Sequence, residues 1–405
     1  MAQVTRDPGL RMASDLVCFS HLRWSWVYQR PQHLMTRAAR DRRVFVFEEP
    51  LEGASRPGIA VSHPAAAVTV ATPRLPSGLP NGERILLQRD LLDAFMGREN
   101  IRHFTAWFYT PMALPFAGHL EPELTVYDCM DELSAFAGAP ADLGALERQL
   151  FNRSDIVFTG GHSLFEAKRR YHAEIHAIPS SVDFDHFVRA RSRAGDPEDQ
   201  AVLPHPRLGY CGVIDERLDL GLVDAVSKAR PDWQFVFVGP VTKIDPASLP
   251  QASNIHYLGG RTYDELPSYL SGWDVALLPF AHNESTRFIS PTKTPEYLAA
   301  GRRVVSTSVR DVVRMFGDEG LVEIADGPRE FMEAIEKCLG PDDPQRQSRV
   351  DRYLALQSWD RTWARMQALM SRSLSAGAAR GLVRPSYHGV VTPVTSVATV
   401  QAQSS

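Results

Sequence analysis

Short apolar runs alternate with longer amphipathic stretches along most of the chain. In the first half, runs at 15–20, 44–48, 67–71, 104–109, 124–128, 156–160 and 175–179 predict buried strands. The intervening stretches 31–40, 84–96, 141–153 and 163–171 have the length and period of helices. Strands of this kind separated by helices imply a mostly parallel, doubly wound sheet. From 188 to 206 the chain is rich in Arg, Asp, Ala and Pro without a period, which reads as an exposed linker. The alternation then restarts, with strands predicted at 208–212, 235–239, 255–258, 275–278, 304–307 and 321–325. Helices are expected at 218–230, 263–270, 294–300 and 328–338. The expected fold is α/β, with Rossmann-like domains at 12–187 and 207–344 facing each other across a cleft at their strand ends.

Two further segments complete the pattern. Residues 345–372 predict one or two long helices, with Trp359 and Trp363 sharing a face able to pack on a domain. From 373 to 405 the composition shifts to Ser, Ala, Gly, Val and Thr with almost no acid, which predicts a disordered tail.

Composition narrows the class without changing that picture. A chain of 405 residues exceeds the size at which one core stops growing. Hydrophobic content of 44% and charged content of 23% are ordinary for a soluble protein. A formal charge of -4 argues against general nucleic-acid binding but leaves room for a local basic cleft. Cys18, Cys129, Cys211 and Cys338 are scattered and form no C-x-x-C pair, as expected of reduced core thiols. No apolar run reaches the roughly 18 residues of a spanning helix, and the amino-terminus lacks the pattern of a secretory signal. A cytoplasmic protein is expected, with peripheral contact at the inner face of a membrane left open.

The densest candidate chemistry lies at 285–305. A polar loop after the strand at 275–278 carries Arg287, Ser290, Thr292, Lys293 and Glu296 into a helix, and Gly301 leads out to the next strand. Loops beyond the carboxyl ends of parallel strands bind ligands in such sheets. Two cations and a carboxylate there suit a ligand with both phosphate and hydroxyls, such as a nucleotide sugar. The competing reading makes Glu296 a favourable first-turn acid and Lys293 a solvated cation. Gly212 and Arg217 after the first strand of the second domain, and Lys243 after the next, are further phosphate candidates or plain turn residues. Neither strand exit carries a G-x-G-x-x-G fingerprint.

In the first domain, His21, Arg23 and Trp24 follow the first strand, and Arg30 and Gln32 open the first helix. They suit sugar stacking and anion binding, or else core closure. Asp128 and Asp131, in Tyr127-Asp128-Cys129-Met130-Asp131-Glu132, could orient an acceptor hydroxyl or take its proton; Asp131 could equally cap a helix. Gly160-Gly161-His162-Ser163 is a turn whose backbone N–H groups suit an anion. No H-x-x-x-H or carboxylate triad supplies a metal site. The absence of a G-x-S-x-G elbow and of a Walker A run argues against a serine hydrolase and a P-loop ATPase.

With these residues in view, the chain resembles the two-domain GT-B glycosyltransferases, family four of the retaining enzymes, and is most similar to the branch of the teichuronic acid biosynthesis glycosyltransferases. The resemblance spans about 15–370 and rests on D-L-V-C-F-S-H-L-R-W-S-W-V-Y-Q-R-P-Q-H-L, Y-D-C-M-D-E, P-S-S-V-D-F-D-H-F and S-P-T-K-T-P-E-Y-L-A-A-G. It implies a donor-binding second domain, an acceptor-side first domain and final helices that cross back to brace the first. It further implies that Glu296 holds the donor ribose and that Arg217 with Lys293 or Lys243 neutralises the diphosphate. No cofactor is expected, the nucleotide sugar being a substrate, and the partner is a glycan or lipid-linked acceptor. Two departures stand out: Phe288 occupies the place of the first glutamate of the family's pair, and the usual histidine after the fifth strand has no counterpart. Rival readings are a nucleotide-sugar epimerase on the same scaffold and a non-catalytic carbohydrate-binding or scaffold protein.

Overall fold

The structure, a computed structural model, describes residues 14–192, 195–341 and 343–379. The expected tail beyond 379 lies outside them.

Nine strands form the first sheet: β1 (Asp15–Ser20), β2 (Val44–Glu48), β3 (Leu51–Glu52), β4 (Gly58–Ala65), β5 (Val68–Leu75), β6 (Phe104–Phe108), β7 (Leu124–Cys129), β8 (Ile156–Thr159) and β9 (Ile175–Ala177). Their order is β3-β5-β2-β1-β6-β7-β8-β9, and β4 pairs with β5. Only the β4–β5 pairing is antiparallel. Of this hairpin only β4 escapes the apolar pattern, because none of its residues is buried, so no core face imposed alternation on it.

Six strands build the second sheet: β10 (Arg207–Cys211), β11 (Gln234–Val238), β12 (Ile255–Tyr257), β13 (Val275–Leu278), β14 (Arg303–Ser306) and β15 (Glu323–Ile324). Their order is β12-β11-β10-β13-β14-β15, parallel throughout. Strand order reverses between β10 and β13, and in the first sheet between β1 and β6. These are the switch points at which doubly wound sheets bind ligands. All four cysteines are buried and free.

The stretch expected to be an exposed linker is instead docked on the second domain. Gln200 is fully buried and accepts a bond from the Trp273 indole at 2.9 Å. Asp199 accepts from the Tyr269 hydroxyl at 3.0 Å, and Asp196 pairs with the buried Arg207 guanidinium. The polar composition that suggested solvent serves here to satisfy buried donors.

After helix Arg346–Leu354, whose Val350 and Leu354 join the second-domain core, the chain returns to the first domain. Helix Trp359–Ala379 runs past the expected end at 372. Trp359, Trp363, Met366, Leu369 and Met370 pack into one face of the first sheet. The Trp359 ring stacks on His33 at 4.6 Å, and Asp360 pairs with Arg37 at 3.1 Å. The two tryptophans thus share a buried face, as their spacing of four predicts.

Candidate active site

The β10–β13 switch point is assembled by backbone contact. Gly239 after β11 lies so close to the Gly212 carbonyl that a Cβ there would sit 1.9 Å from it. Only glycine permits that approach. Helix Lys293–Ala299 is tied to the same point through Tyr297, whose hydroxyl accepts from the Cys211 N–H at 2.7 Å and donates to its carbonyl at 3.2 Å. Lys293 and Glu296, at the head of that helix, are thereby fixed against the end of β10.

Lys293 Nζ donates to Glu296 Oε2 at 2.8 Å. Both side chains are nearly covered, at 14% and 6% exposure. Burial lifts the Glu296 pKa above the usual carboxylate range although Lys293 pulls it down. Burial works against the Lys293 ammonium, but Glu296 and Cys211 raise its pKa overall. This is a buried pair whose partners are held by each other, ready to exchange for ligand groups.

Arg217 is aimed by Asp215, which accepts from its Nε at 2.9 Å and its Nη2 at 2.7 Å. Asp215 is buried, whereas Arg217 remains partly exposed. Asp215, whose charge would otherwise repel a phosphate, is spent on orienting the cation. Lys243 sits in a left-handed backbone conformation, φ +62°, a strain that side chains rarely accept. From the first domain, Phe136 reaches over both cations, its ring 5.8 Å from the Arg217 guanidinium and 4.9 Å from Lys243 Nζ. Asp131 faces the same group: burial raises its pKa, while Arg217, Arg30 and Lys243 lower it. His21 completes that face, with a pKa pushed down to about 4 by burial and by Lys243.

The structure thus brings together Gly212, Arg217, Lys243, Lys293, Glu296, Asp131 and His21. It separates others. Asp128, read as catalytic, is fully buried with Arg30, which donates through Nε at 3.1 and 3.0 Å and through Nη2 at 2.9 Å. Arg30 also donates to the Ile178 carbonyl at 2.8 Å. These bonds satisfy both side chains and lock β7, the first helix and the interdomain crossing together. Gln32 is likewise structural, donating to the Trp24 and Val27 carbonyls at 3.0 Å each. Arg23 is held by Glu48 at 3.2 Å, and the partly buried Trp24 packs against the first core.

Arg287 lies at the rim, exposed, 3.5 Å from the exposed Glu284. Glu284 therefore does not turn inward to replace the missing family glutamate. Phe288 packs against the first-domain core, turning that position into an apolar interdomain contact. Ser290 lies beside Gly161 of the first domain, where an added Cβ would come within 2.8 Å of its own. Thr292 flanks the Lys293 helix without a capping bond. The anion at the Gly161–Ser163 turn is Asp311 of the second domain, which accepts from Ser163 N at 3.0 Å and Oγ at 2.5 Å.

Tyr263 and Thr294 went unnoticed in the sequence. The buried His21 Nδ1, both Glu216 carboxylate oxygens, the Tyr263 hydroxyl and the Thr294 hydroxyl have no hydrogen-bond partner. Thr294 neighbours Lys293, and the Tyr263 hydroxyl pKa is raised by burial and then by Glu296. Unpaired buried polar atoms are uncommon in finished interiors and call for a partner, whether water or a ligand. Thr294 flanks a residue already singled out, which was the available signal; Tyr263 had none. Among the described residues, no group of three or more His, Cys, Asp or Glu is arranged to hold a metal ion. No helix among them is long and apolar enough to cross a membrane.

Comparison with known proteins agrees with this geometry. Residues 205–340 match the family model described as glycosyl transferases group 1. A curated relative, the putative teichuronic acid biosynthesis glycosyltransferase TuaH of Bacillus subtilis (strain 168), is 25% identical over 276 residues, 62% of this chain and 68% of that protein. Among solved structures, sucrose-phosphate synthase of Thermosynechococcus elongatus superposes with a TM-score of 0.68 at 16% identity, covering 90% of this chain and 100% of the other. Anabaena HepE, in complex with UDP and glucose, gives 0.61 at 13% identity, covering 88% and 99%. The fold is GT-B, and the second domain of the chain is similar to the glycosyl transferases group 1.

Proposed function

We propose that this enzyme moves a hexosyl unit, with retention of configuration, from a UDP- or GDP-linked donor to a hydroxyl of a glycan or lipid-linked acceptor. The reading rests above all on the Lys293–Glu296 pair at the second-domain switch point. In the donor complex Glu296 accepts bonds from two ribose hydroxyls. Lys293, released from Glu296, joins Arg217 and Lys243 in neutralising the diphosphate as its bond to the sugar breaks. Asp131, facing that charge from the first domain, orients the acceptor hydroxyl. Among the carboxylates facing the site none is posed as a nucleophile, so attack proceeds from the leaving-group side through an oxocarbenium-like state. The acceptor proton passes to the departing phosphate oxygen.

The Bacillus relative's name supports a role in polysaccharide or cell-envelope synthesis, and the UDP in the Anabaena complex favours a uridine donor. Such an enzyme would work in the cytoplasm, at the inner membrane face if the acceptor is lipid-linked. The test is turnover of UDP-, GDP- and ADP-sugars with and without a glycan-lipid extract, comparing wild type with Glu296→Ala. An acceptor-dependent product whose anomeric configuration matches the donor by NMR is expected. Donor consumption that ignores the acceptor, or an inverted product, would sink the mechanism.

A further inference from the structure

Away from the catalytic cleft, the domain joint forms a half-open pocket of about 360 Å³. Its walls come from four places: His162 of the first domain; 178–181, where the chain leaves that domain; 314–315 of the second domain; and 353–365, where the chain returns. None of Arg217, Lys243, Lys293 or Glu296 lines it. Its volume falls in the range of small-molecule sites, about 300–1,000 Å³.

The polar groups around it are unbalanced. Arg365 has no ion-pair partner among the described residues, and Arg314 shares one face with Glu166 at 2.6 Å. His162 and Ser180 add further donors. Against this excess of donors stands one buried acceptor without a partner, Gln357 Oε1. Ile178 and Leu356 supply apolar surface beside them. A bare phosphate, which keeps a P–OH near neutral pH, would answer the two guanidinium groups but leave the apolar surface of Ile178 and Leu356 uncovered. A phosphate carried on a polyol or sugar answers both, and its hydroxyl donates to Gln357 Oε1.

We propose that this pocket is a second ligand site, separate from the donor cleft, for a small phosphorylated sugar or polyol. Arg365 and Arg314 hold the phosphate, Gln357 accepts from a hydroxyl, and Ile178 and Leu356 cover a carbon face. Because the walls belong to both crossings and to both domains, any rotation of one domain on the other reshapes the site. A ligand bound there is thereby linked to domain closure, in whichever direction its affinity differs between the two arrangements.

Calorimetry on the full chain tests this with glucose 6-phosphate, glucose and inorganic phosphate as probes, using wild type, Arg365→Ala, Gln357→Leu and Glu296→Ala. Glucose 6-phosphate is expected to bind wild type more tightly than either other probe. Its affinity should drop about tenfold in each of Arg365→Ala and Gln357→Leu, the loss of one good polar contact, and stay unchanged in Glu296→Ala. Arg365 is exposed on a helix, so its replacement leaves the fold intact. The proposal is overturned by silence up to about 10 mM probe, by equal affinity for inorganic phosphate, or by indifference to Arg365→Ala and Gln357→Leu. Weakening only in Glu296→Ala would also overturn it, by assigning the sugar phosphate to the donor cleft.

Discussion

The two faces of the cleft are built from the same architecture and use their charges in opposite ways. Both present loops at a strand-order reversal, and both are rich in Arg and acidic side chains. On the first-domain face the pairing is mostly closed: Arg30 with Asp128 and Arg23 with Glu48 consume their charges within the domain and Gln32 answers carbonyls nearby, which leaves Asp131 and the unpaired His21 Nδ1 towards the cleft. On the second-domain face it is provisional: Lys293 is held by Glu296, Arg217 is only aimed by Asp215, and buried oxygens of Glu216 and Thr294 stand unpaired. A residue's type and its place at a strand end do not separate a scaffold charge from a working one. Whether its hydrogen-bonding capacity is already met does.

The sharpest way to break this contrast is at Asp128. Removing one partner of a fully buried ion pair leaves the other charge uncompensated, at a cost of about 3–5 kcal/mol. Asp128→Ala should lose that much stability in denaturant unfolding, with Arg30→Ala behaving alike and the double variant recovering part of the loss. If instead Asp128→Ala keeps wild-type stability and loses turnover, Asp128 belongs to the chemistry and the first-domain face is not closed.

Glu296→Ala should show the opposite profile. Two hydroxyl bonds to a carboxylate are worth about 3 kcal/mol together, so kcat/KM should fall about 100-fold. Stability should fall less than in Asp128→Ala, because the unpaired Lys293, 14% exposed on a flexible four-carbon stem, can turn its ammonium to solvent where the wholly buried Arg30 cannot. A variant that unfolds without losing activity per folded molecule would place Glu296 among the scaffold pairs.

Those opposite profiles also mark what the sequence made legible. Strand positions were readable almost throughout, since β1, β2 and β13 coincide with their apolar runs. The Lys293–Glu296 cluster was readable because loop, helix and following strand are contiguous. The closed pairs were not, because Arg30 and Asp128 meet across 98 positions, and nothing in one dimension tells a guanidinium aimed at substrate from one aimed at its own core. For the same reason Asp311 was invisible as the anion of the Gly161–Ser163 turn, 148 positions away. The docked stretch from 195 to 201 misled through composition, since the polar residues that suggest solvent are also those that satisfy a buried Trp273 and Arg207.

Asp311 sharpens the comparison at a third place, where the two faces are joined. Its carboxylate caps a first-domain helix from the second domain, beside Glu166 held by Arg310 at 2.8 Å and Arg314 at 2.6 Å. Asp311→Ala should cost about 1–2 kcal/mol, in the range of a lost helix cap. The loss should appear as faster hydrogen exchange at 161–165 rather than uniformly through the domain. Uniform destabilisation would mean the contact is ordinary core packing.

Acid titration addresses the first-domain face as a whole. The unfolded His21 takes a proton near 6.5, and the folded one not until about 4. Between those values the unfolded state binds more protons, so stability contributed by neutral His21 is complete above 6.5 and drains away as pH falls towards 4. Wild type should lose stability over this window relative to His21→Gln. Parallel pH curves for the two proteins would show that His21 is solvated rather than pressed against Lys243.

The smallest effect is expected at the rim of the second-domain face. Arg287 is 63% exposed and its nearest acid, Glu284, is 75% exposed and 3.5 Å away. Such a pair contributes about 0.5 kcal/mol at most, so Arg287→Ala should change donor KM about twofold and leave kcat and stability unaltered. The effect should also fade with added salt, as a screened surface charge requires. Arg217→Ala should instead resist salt and lower kcat, since Arg217 is tied to the buried Asp215 and meets charge that develops as the sugar–phosphate bond breaks. A loss at Arg287 as large and as salt-resistant as that at Arg217 would mean the loop folds inward on the donor, so that the working face extends to the rim.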